Sequence, residues 1–249
     1  FLFVESYFVY SLMIIIIIFN NRIKREAKNM KLLLTLILAC VSAVSLADNH
    51  DENNLVMLSM FTNPVGQKMS VLEKMLLNAS ADNEKRGYNR CGVYKHRRIG
   101  SSRSALTFCY FNDFAQYAKI EDARDAEVGN DAAQFFADHT DHMISILEKN
   151  LKPNPKYLLF ARMTFGPYLT GIERDERARG QFEYYEDSFG GCNLATHMWG
   201  PELAHYIACG FESHKEFAEG LEIFSKNNIA EVKADILEHS DDLYIRVDN

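Results

Sequence analysis

The sequence predicts an α+β fold in which two copies of a β-α-β-β-α-β unit form a single barrel within the chain. Two observations predict it: apolar patterns follow the same order in both halves, and cysteines, histidines and aspartates recur at matched places. The 249 residues are 47% hydrophobic and 24% charged, with a net charge of −7. Those fractions are typical of a globular protein and exclude a disordered or collagen-like chain. We expect no binding to nucleic acid, because neutralising phosphates needs an excess of Lys and Arg.

Two apolar segments precede the region with this pattern. Residues 1–29 start with Phe and are interpreted as upstream, non-native sequence. Residues 30–47 have a basic start at Lys31, an apolar centre and small residues at Ser45 and Ala47, so cleavage is expected between Ala47 and Asp48. This second pattern is typical of a secretory signal peptide, so we expect an exported protein, periplasmic or secreted, whose mature domain has no membrane segment.

Two other interpretations of these segments stay open. The run 1–19 is long enough for a membrane-spanning helix, although two adjacent export-type segments would be redundant. Cys40 could carry a lipid, but the apolar run before it is short. The signal peptide is the favoured interpretation.

The first repeat is expected over 54–150. It opens with the apolar run LVMLSMFT (55–62), typical of a strand, and continues with apolar residues at helical spacing up to Gly87. A strand then starts at Cys91, and a turn at Gly100 returns the chain into a further strand, SALTFCYF.

The rest of the first repeat begins at a helix start signal. Asp113, with Gln116 three residues later, has the spacing of a capping box. A shorter helix over 131–138 is expected before a final strand over 143–150. The resulting order is the ferredoxin-like arrangement, an antiparallel sheet with helices on one face.

The second repeat, expected over 156–249, follows the same order. It starts with a strand (157–164) and a more charged helix (169–186). A strand then begins at Cys192, and a turn at Gly200 leads into the strand HYIACGF.

The last elements of the second repeat also match the first. Ser213 and Glu216 repeat the capping-box spacing, and a helix over 230–238 and a strand over 243–249 follow. Each sheet is covered by helices on one face and needs a partner on the other. The two sheets are therefore predicted to face each other in an intramolecular, dimeric-type α/β barrel, and we expect a monomer.

Two stretches carry a family resemblance: GYNRCGVYKHRRIGSSRSALTFCYFNDFAQYAKIED and GGCNLATHMWGPELAHYIACGFESHKEFAEGLE. Both resemble the central part of antibiotic-biosynthesis-monooxygenase-type dimeric α/β barrel domains, and together the two copies cover nearly the whole mature chain. The resemblance implies the fold rather than one reaction. The superfamily includes cofactor-free oxygenases, haem-degrading enzymes, isomerases and proteins without known activity.

Two hypotheses about function follow. In the first, the protein is a cofactor-free or haem-related monooxygenase-like enzyme, or a binder of a small aromatic or haem-like molecule between the sheets. In the alternative, it is a non-catalytic structural or interaction module whose inter-sheet core is filled. The sequence identifies no cofactor.

Four cysteines lie on predicted hairpins: Cys91, Cys109, Cys192 and Cys209. Within each hairpin the two cysteines are centred on turn residues, so they could lie directly opposite each other. An even number in an exported chain favours two disulfides, each within its own hairpin. Buried free thiols are the alternative. A zinc site is not expected, because no C-x-x-C spacing occurs.

Three residues are candidate catalytic groups: Arg162, His197 and His205. Arg162 is unusual in an otherwise apolar strand and could bind a carboxylate or stabilise an anion. The two histidines could act as general base or haem ligand. In the alternative, Arg162 reaches solvent at a strand end and His197 is exposed at a hairpin end.

Four further residues are candidate ligand contacts: Tyr94, His96, Trp199 and Tyr206. They lie on the hairpins near the candidate catalytic groups, and their rings could orient a small aromatic substrate. The alternative for His96 is again an exposed hairpin end.

Two clusters, 139–142 and 239–242, combine His, Asp and hydroxyl residues before the last strand of each repeat. Such clusters invite comparison with metal sites. Because Asp, Ser and Thr bond their own backbone at turns, we interpret both clusters as turns and predict no metal.

Overall fold

The computed structural model describes residues 54–97, 103–127, 136–228 and 236–247. The predicted upstream segment, the signal peptide and Cys40 lie outside these residues. Within them, no helix has both the length and the apolar character needed to cross a membrane.

Each repeat contains four strands and two helices among the described residues. The first repeat consists of β1 (Leu55–Thr62), α1 (Met69–Arg86), β2 (Arg90–His96), β3 (Ser104–Phe111), α2 (Phe114–Ala126) and β4 (Asp138–Lys149). The second consists of β5 (Tyr157–Phe165), α3 (Gly171–Phe189), β6 (Cys192–Trp199), β7 (Ala204–Phe211), α4 (His214–Asn228) and β8 (Ile236–Arg246).

The eight strands form one closed antiparallel barrel in the order β1-β3-β2-β8-β5-β7-β6-β4. Each repeat contributes four neighbouring strands, in the order of a ferredoxin-like sheet. Two seams join the repeats, β2 with β8 and β4 with β6. The predicted α+β barrel of two ferredoxin-like units is confirmed.

Alternating side chains divide the protein into an interior core and an outer layer. On β5, Leu158 and Phe160 point into the barrel, whereas Leu159 and Ala161 pack beneath the helices against Phe182 of α3. Full burial of a large apolar side chain is worth about 1.5–3 kcal/mol, so both layers stabilise the fold.

Both predicted capping signals are confirmed, and a third helix has a cap that was not predicted. Asp113 accepts a hydrogen bond from the amide of Gln116, and the hydroxyl of Ser213 accepts one from the amide of Glu216. α3 starts with a reciprocal capping box that pairs Thr170 with Glu173. These bonds satisfy amides that the first helical turn leaves unpaired.

Both predicted disulfides are present, Cys91–Cys109 and Cys192–Cys209. Each joins directly opposed residues of one hairpin, with Cα atoms 4.1 Å apart. The matched spacing in the two repeats therefore reflects the same cross-link made twice.

The interpretation of 139–142 and 239–242 as turns is wrong. β4 already begins at Asp138 and β8 at Ile236, so both clusters lie inside strands. Residues 236–238, predicted as the end of a helix, are also strand. Pairing with β1 and β5 supplies backbone hydrogen bonds along these segments and outweighs local turn preference. Most of the two predicted short helices lies outside the described residues.

Candidate functional site

The barrel has two different ends. At the linker end, β4 leads through residues 150–156 into β5; at the hairpin end β2 ends, β3 begins, and β6 leads into β7. A cavity of 320 Å³ lies in the barrel interior at the linker end. This volume is near the lower limit of the ~300–1,000 Å³ found for small-molecule sites. An eight-stranded barrel is wide enough for one small ligand.

The inner wall of the cavity is apolar and partly aromatic. Its buried residues come from both repeats: Val56, Phe108, Ile144, Leu158, Phe160 and Ala195. The rings of Phe108 and Phe160 meet edge to face with centroids 5.7 Å apart, and Tyr206 stacks on Phe160 at 5.6 Å. Gly92 also lines the cavity, where the lack of a side chain leaves space beside the ring of Tyr94.

The linker closes one side of the cavity and is held in place by three contacts. The amide of Leu151 donates to the Asn193 side chain at 2.8 Å, and the Tyr94 hydroxyl donates to the Pro155 carbonyl at 3.2 Å. Pro155 also packs on Gly210, where an added Cβ would lie only 2.6 Å from it. The linker is thus an ordered part of the site.

The mouth of the cavity is polar and positively charged. Arg90, Lys149 and Lys152 line it, together with Asn89 and Asn154. No Asp or Glu is among the described residues that line the cavity. Tyr110 also lines the cavity, and the guanidinium carbon of Arg90 lies 4.6 Å from the centroid of its ring.

Arg162 lies at the hairpin end and does not line the cavity. Its Nη1 donates to both carboxylate oxygens of Glu202 at 2.8 and 2.9 Å, and Nη2 donates to Glu238 at 3.3 Å. Arg162 therefore pairs with two carboxylates of its own chain at this end of the barrel.

The two candidate catalytic histidines are also outside the cavity. His197 is at the hairpin end, with Nε2 3.3 Å from the carbonyl of Gly200. His205 faces the helices, and its Nε2 lies 2.6 Å from Asp175 of α3. Arg162, His197 and His205 thus do not line this cavity, and their catalytic role stays a prediction.

The candidate ligand contacts divide into two pairs. Tyr94 and Tyr206 line the cavity. His96 lies deeper in the interior, 3.8 Å from Asp242 and edge-on to Tyr244, and Trp199 is 78% exposed at the hairpin end. Two of the four predicted residues therefore line the cavity, whereas its charged mouth was not predicted; contact of the two tyrosines with a ligand stays a prediction.

A buried pair links the cavity wall to the hairpin end. The hydroxyl of Tyr206 lies 3.1 Å from Nδ1 of His142, and Nε2 of His142 lies 3.3 Å from the hydroxyl of Thr140. Burial lowers the pKa of His142, so its ring is neutral at pH 7. The position of His142 on the same strand face as Ile144 was the sequence signal for this inward orientation.

The cavity residues do not fit a haem group. Haem iron needs an axial ligand such as His, Cys or Met, or a free tyrosine. The described lining contains no His, Cys or Met, the hydroxyls of Tyr94 and Tyr206 are bonded elsewhere, and the hydroxyl of the third lining tyrosine, Tyr110, is hydrogen-bonded to Arg90. Within the described residues, no group of three or more His, Cys, Asp or Glu could hold a metal ion.

Comparisons with solved structures support the fold. The chain is similar to an anthrone oxidase-like protein, with 9% identity, a TM-score of 0.51 and coverage of 80% of this chain and 93% of that one. It is similar to a protein assigned as a monooxygenase from Fusobacterium nucleatum subsp. nucleatum, with 11% identity, a TM-score of 0.51 and coverage of 79% and 94%. A third, from Lactobacillus acidophilus and also assigned as a monooxygenase, has 7% identity, a TM-score of 0.50 and coverage of 78% and 94%.

At these identities the likeness shows the fold alone. The chain has the dimeric α/β barrel fold with both halves in one polypeptide, and nearly the whole of each neighbour aligns with it. No protein-family model matches the chain, and no curated protein matches it.

Proposed function

We propose that the protein binds a small aromatic ligand in the barrel cavity at the linker end. The observation that carries the proposal is the 320 Å³ cavity with its buried aromatic wall. Space of this size supports ligand binding over the alternative of a structural module, which predicts a filled inter-sheet core.

Binding is favoured over acid–base catalysis. General acid–base catalysis most often uses His, Asp or Glu. None of these is among the described lining residues, and the buried hydroxyl of Tyr206 has a pKa raised by desolvation, which makes it a poor base at pH 7.

A monooxygenase-like reaction on the bound aromatic is the second candidate. It is supported by the likeness of fold to an anthrone oxidase-like protein and to two proteins assigned as monooxygenases. Its test is oxygen uptake with anthrone as substrate, in wild type and in a variant with a blocked cavity.

The binding test uses 2-naphthamide, a neutral aromatic probe, in calorimetric titrations. Ala208→Phe places a ring in the cavity, and Ala218→Phe makes the same change on the exposed face of α4. We expect the wild type and Ala218→Phe to bind the probe and Ala208→Phe to lose it. Gly92→Val is a smaller change beside the ring of Tyr94, and valine is a residue type that strands favour. It should weaken binding of the probe, and it tests the proposal if Ala208→Phe does not fold.

Two results would contradict the proposal. One is a wild-type protein that binds neither 2-naphthamide nor 2-naphthoate, the carboxylate of similar shape. The other is unchanged binding by folded Ala208→Phe and by Gly92→Val.

We also propose that the protein is exported. Two disulfides within the described residues support this, because disulfides persist mainly in oxidising compartments. Sequencing of the N-terminus of protein recovered from the cell exterior or periplasm should find a start at Asp48. A start within 1–29 would contradict cleavage after Ala47.

A further inference from the structure

We infer that the cavity selects aromatic ligands that carry a carboxylate or a comparable anionic group, held at the mouth by Arg90, Lys149 and Lys152. The inference rests on the proposed function, since it names the ligand class of the same cavity. It depends on the charge of the mouth, on how that charge is placed there, and on the apolar wall behind it.

The mouth has one sign of charge in a chain of the opposite sign. The whole chain has a net charge of −7, yet the three charged side chains that line the cavity are all cations. A fourth cation is close by, because Arg246 donates to the carbonyl of Asn154. Charges of one sign at a cleft with apolar walls concentrate ligands of opposite charge.

A β-bulge determines which charge β4 brings to the mouth. Between Ile146 and Glu148 the register with β6 shifts by one residue. Strict alternation from the inward-facing Ile146 would direct Glu148 into the barrel. Because of the shift, Lys149 instead pairs with Asn193, and both residues line the cavity.

The carboxylate of Glu148 lies outside the barrel. Glu148 forms an ion pair with Arg179 of α3. The bulge therefore replaces an anion by a cation at the mouth. Bulges commonly redirect a side chain at barrel rims and beside functional sites.

Arg90 is suited to hold a planar anion. Its guanidinium lies over the ring of Tyr110, which restricts the side chain before any ligand arrives. A guanidinium presents its donors in a fixed fork that matches the two oxygens of a carboxylate. An anionic head at Arg90 leaves the aromatic part of the ligand directed inward, toward Phe108 and Phe160.

The test compares 2-naphthoate with 2-naphthamide, which differ in charge but hardly in shape. Titrations use the folded full chain, and we expect the carboxylate to bind about tenfold more tightly than the amide, as hydrogen bonds to charged groups predict. That preference should shrink as salt is raised, because exposed charges are screened.

The triple variant Arg90→Gln/Lys149→Gln/Lys152→Gln should lose the preference and bind both probes with similar affinity. Far-UV circular dichroism and cooperative unfolding in urea report that the variant is folded. Lys156→Gln is the matched control: it removes a cation from the same end of the barrel, but Lys156 does not line the cavity. It should keep the full preference.

Two outcomes would overturn the inference, and they are distinguishable. Equal binding of both probes by the wild type rejects the anionic ligand class and leaves the aromatic cavity intact. Failure of the wild type to bind either probe rejects the proposed function as well.

Discussion

Tyr206 and His142 form a buried hydrogen bond between the two repeats, with the phenol oxygen 3.1 Å from Nδ1. His142 lies on β4 of the first repeat and Tyr206 on β7 of the second, and both are about 1% exposed. The bond therefore spans β6 on the inside of the barrel and ties the halves together through polar side chains.

Removing either partner of this pair should destabilise the barrel, and the losses in the two single variants should not be additive. Tyr206→Phe leaves Nδ1 of His142 buried without a partner, which costs about 1–3 kcal/mol in the free energy of unfolding. His142→Phe leaves the buried hydroxyl of Tyr206 without its hydrogen-bond partner in the same way. In urea denaturation, the double variant should lose less than the sum of the two single variants. Additive losses would show that the bond contributes nothing specific.

The same histidine should make stability depend on pH. Burial is the main cause that lowers the pKa of His142 below its ordinary 6.5. Below about pH 6.5 the unfolded chain takes up a proton that the folded protein does not yet bind, so stability falls as the pH drops. The effect has a limit of about 1.4 kcal/mol per pH unit.

The measurement is the difference between the wild type and Tyr206→Phe/His142→Phe from pH 7 to pH 5. Other histidines titrate in both proteins: the pKa of His205 is also lowered by burial, whereas a hydrogen bond to Asp241 raises that of His239. Their contributions cancel in the difference. A wild type with the same pH dependence as the double variant would exclude this role for His142.

Substitution of the three candidate catalytic residues should leave ligand binding unchanged. Arg162→Ala, His197→Ala and His205→Ala alter no cavity wall, so each should bind 2-naphthamide as the wild type does. Tyr94→Ala, which alters the wall, should weaken binding. A strong loss in Arg162→Ala or His197→Ala would instead support a site at the hairpin end.

The two disulfides should contribute similar amounts to stability. Each closes a loop of similar length, since the paired cysteines are 18 and 17 residues apart. Replacing either pair with alanine should lower the free energy of unfolding by roughly 2–4 kcal/mol. Thiol titration of the denatured, unreduced barrel should find none of these four cysteines free. Four free thiols would contradict both cross-links.

Much of the fold could be predicted because local signals and long-range pairing agree. Asp113 with Gln116 marked a true helix start, and the matched Cys91 and Cys109 lie opposite each other in the register. Where the two conflicted, pairing determined the structure. The cluster 139–142 has the composition of a turn, yet it pairs with β1 throughout.

The site was less predictable because its residues meet only when the barrel closes. Lys149 faces inward through a bulge, which simple alternation along β4 does not show. Arg90 and Lys152 are far apart in the sequence and share the mouth only because the linker returns to the end of the barrel where β2 begins. Tyr94 and Tyr206 were found because aromatic side chains on inward strand faces can be recognised locally.

The closed strand order has a consequence for how a ligand would be oriented. Because all neighbours are antiparallel, the equivalent strands β1 and β5 run in the same direction, and the approximate two-fold axis of the chain follows the barrel axis. A ligand on that axis in a true dimer would meet two equivalent half-sites and could bind in either of two poses. Here the halves have diverged: Tyr94 corresponds to Ala195, and Arg90 to Gly191. In the proposed site the first repeat therefore supplies bulk and charge and the second supplies space, so we expect a ligand bound there to adopt a single pose.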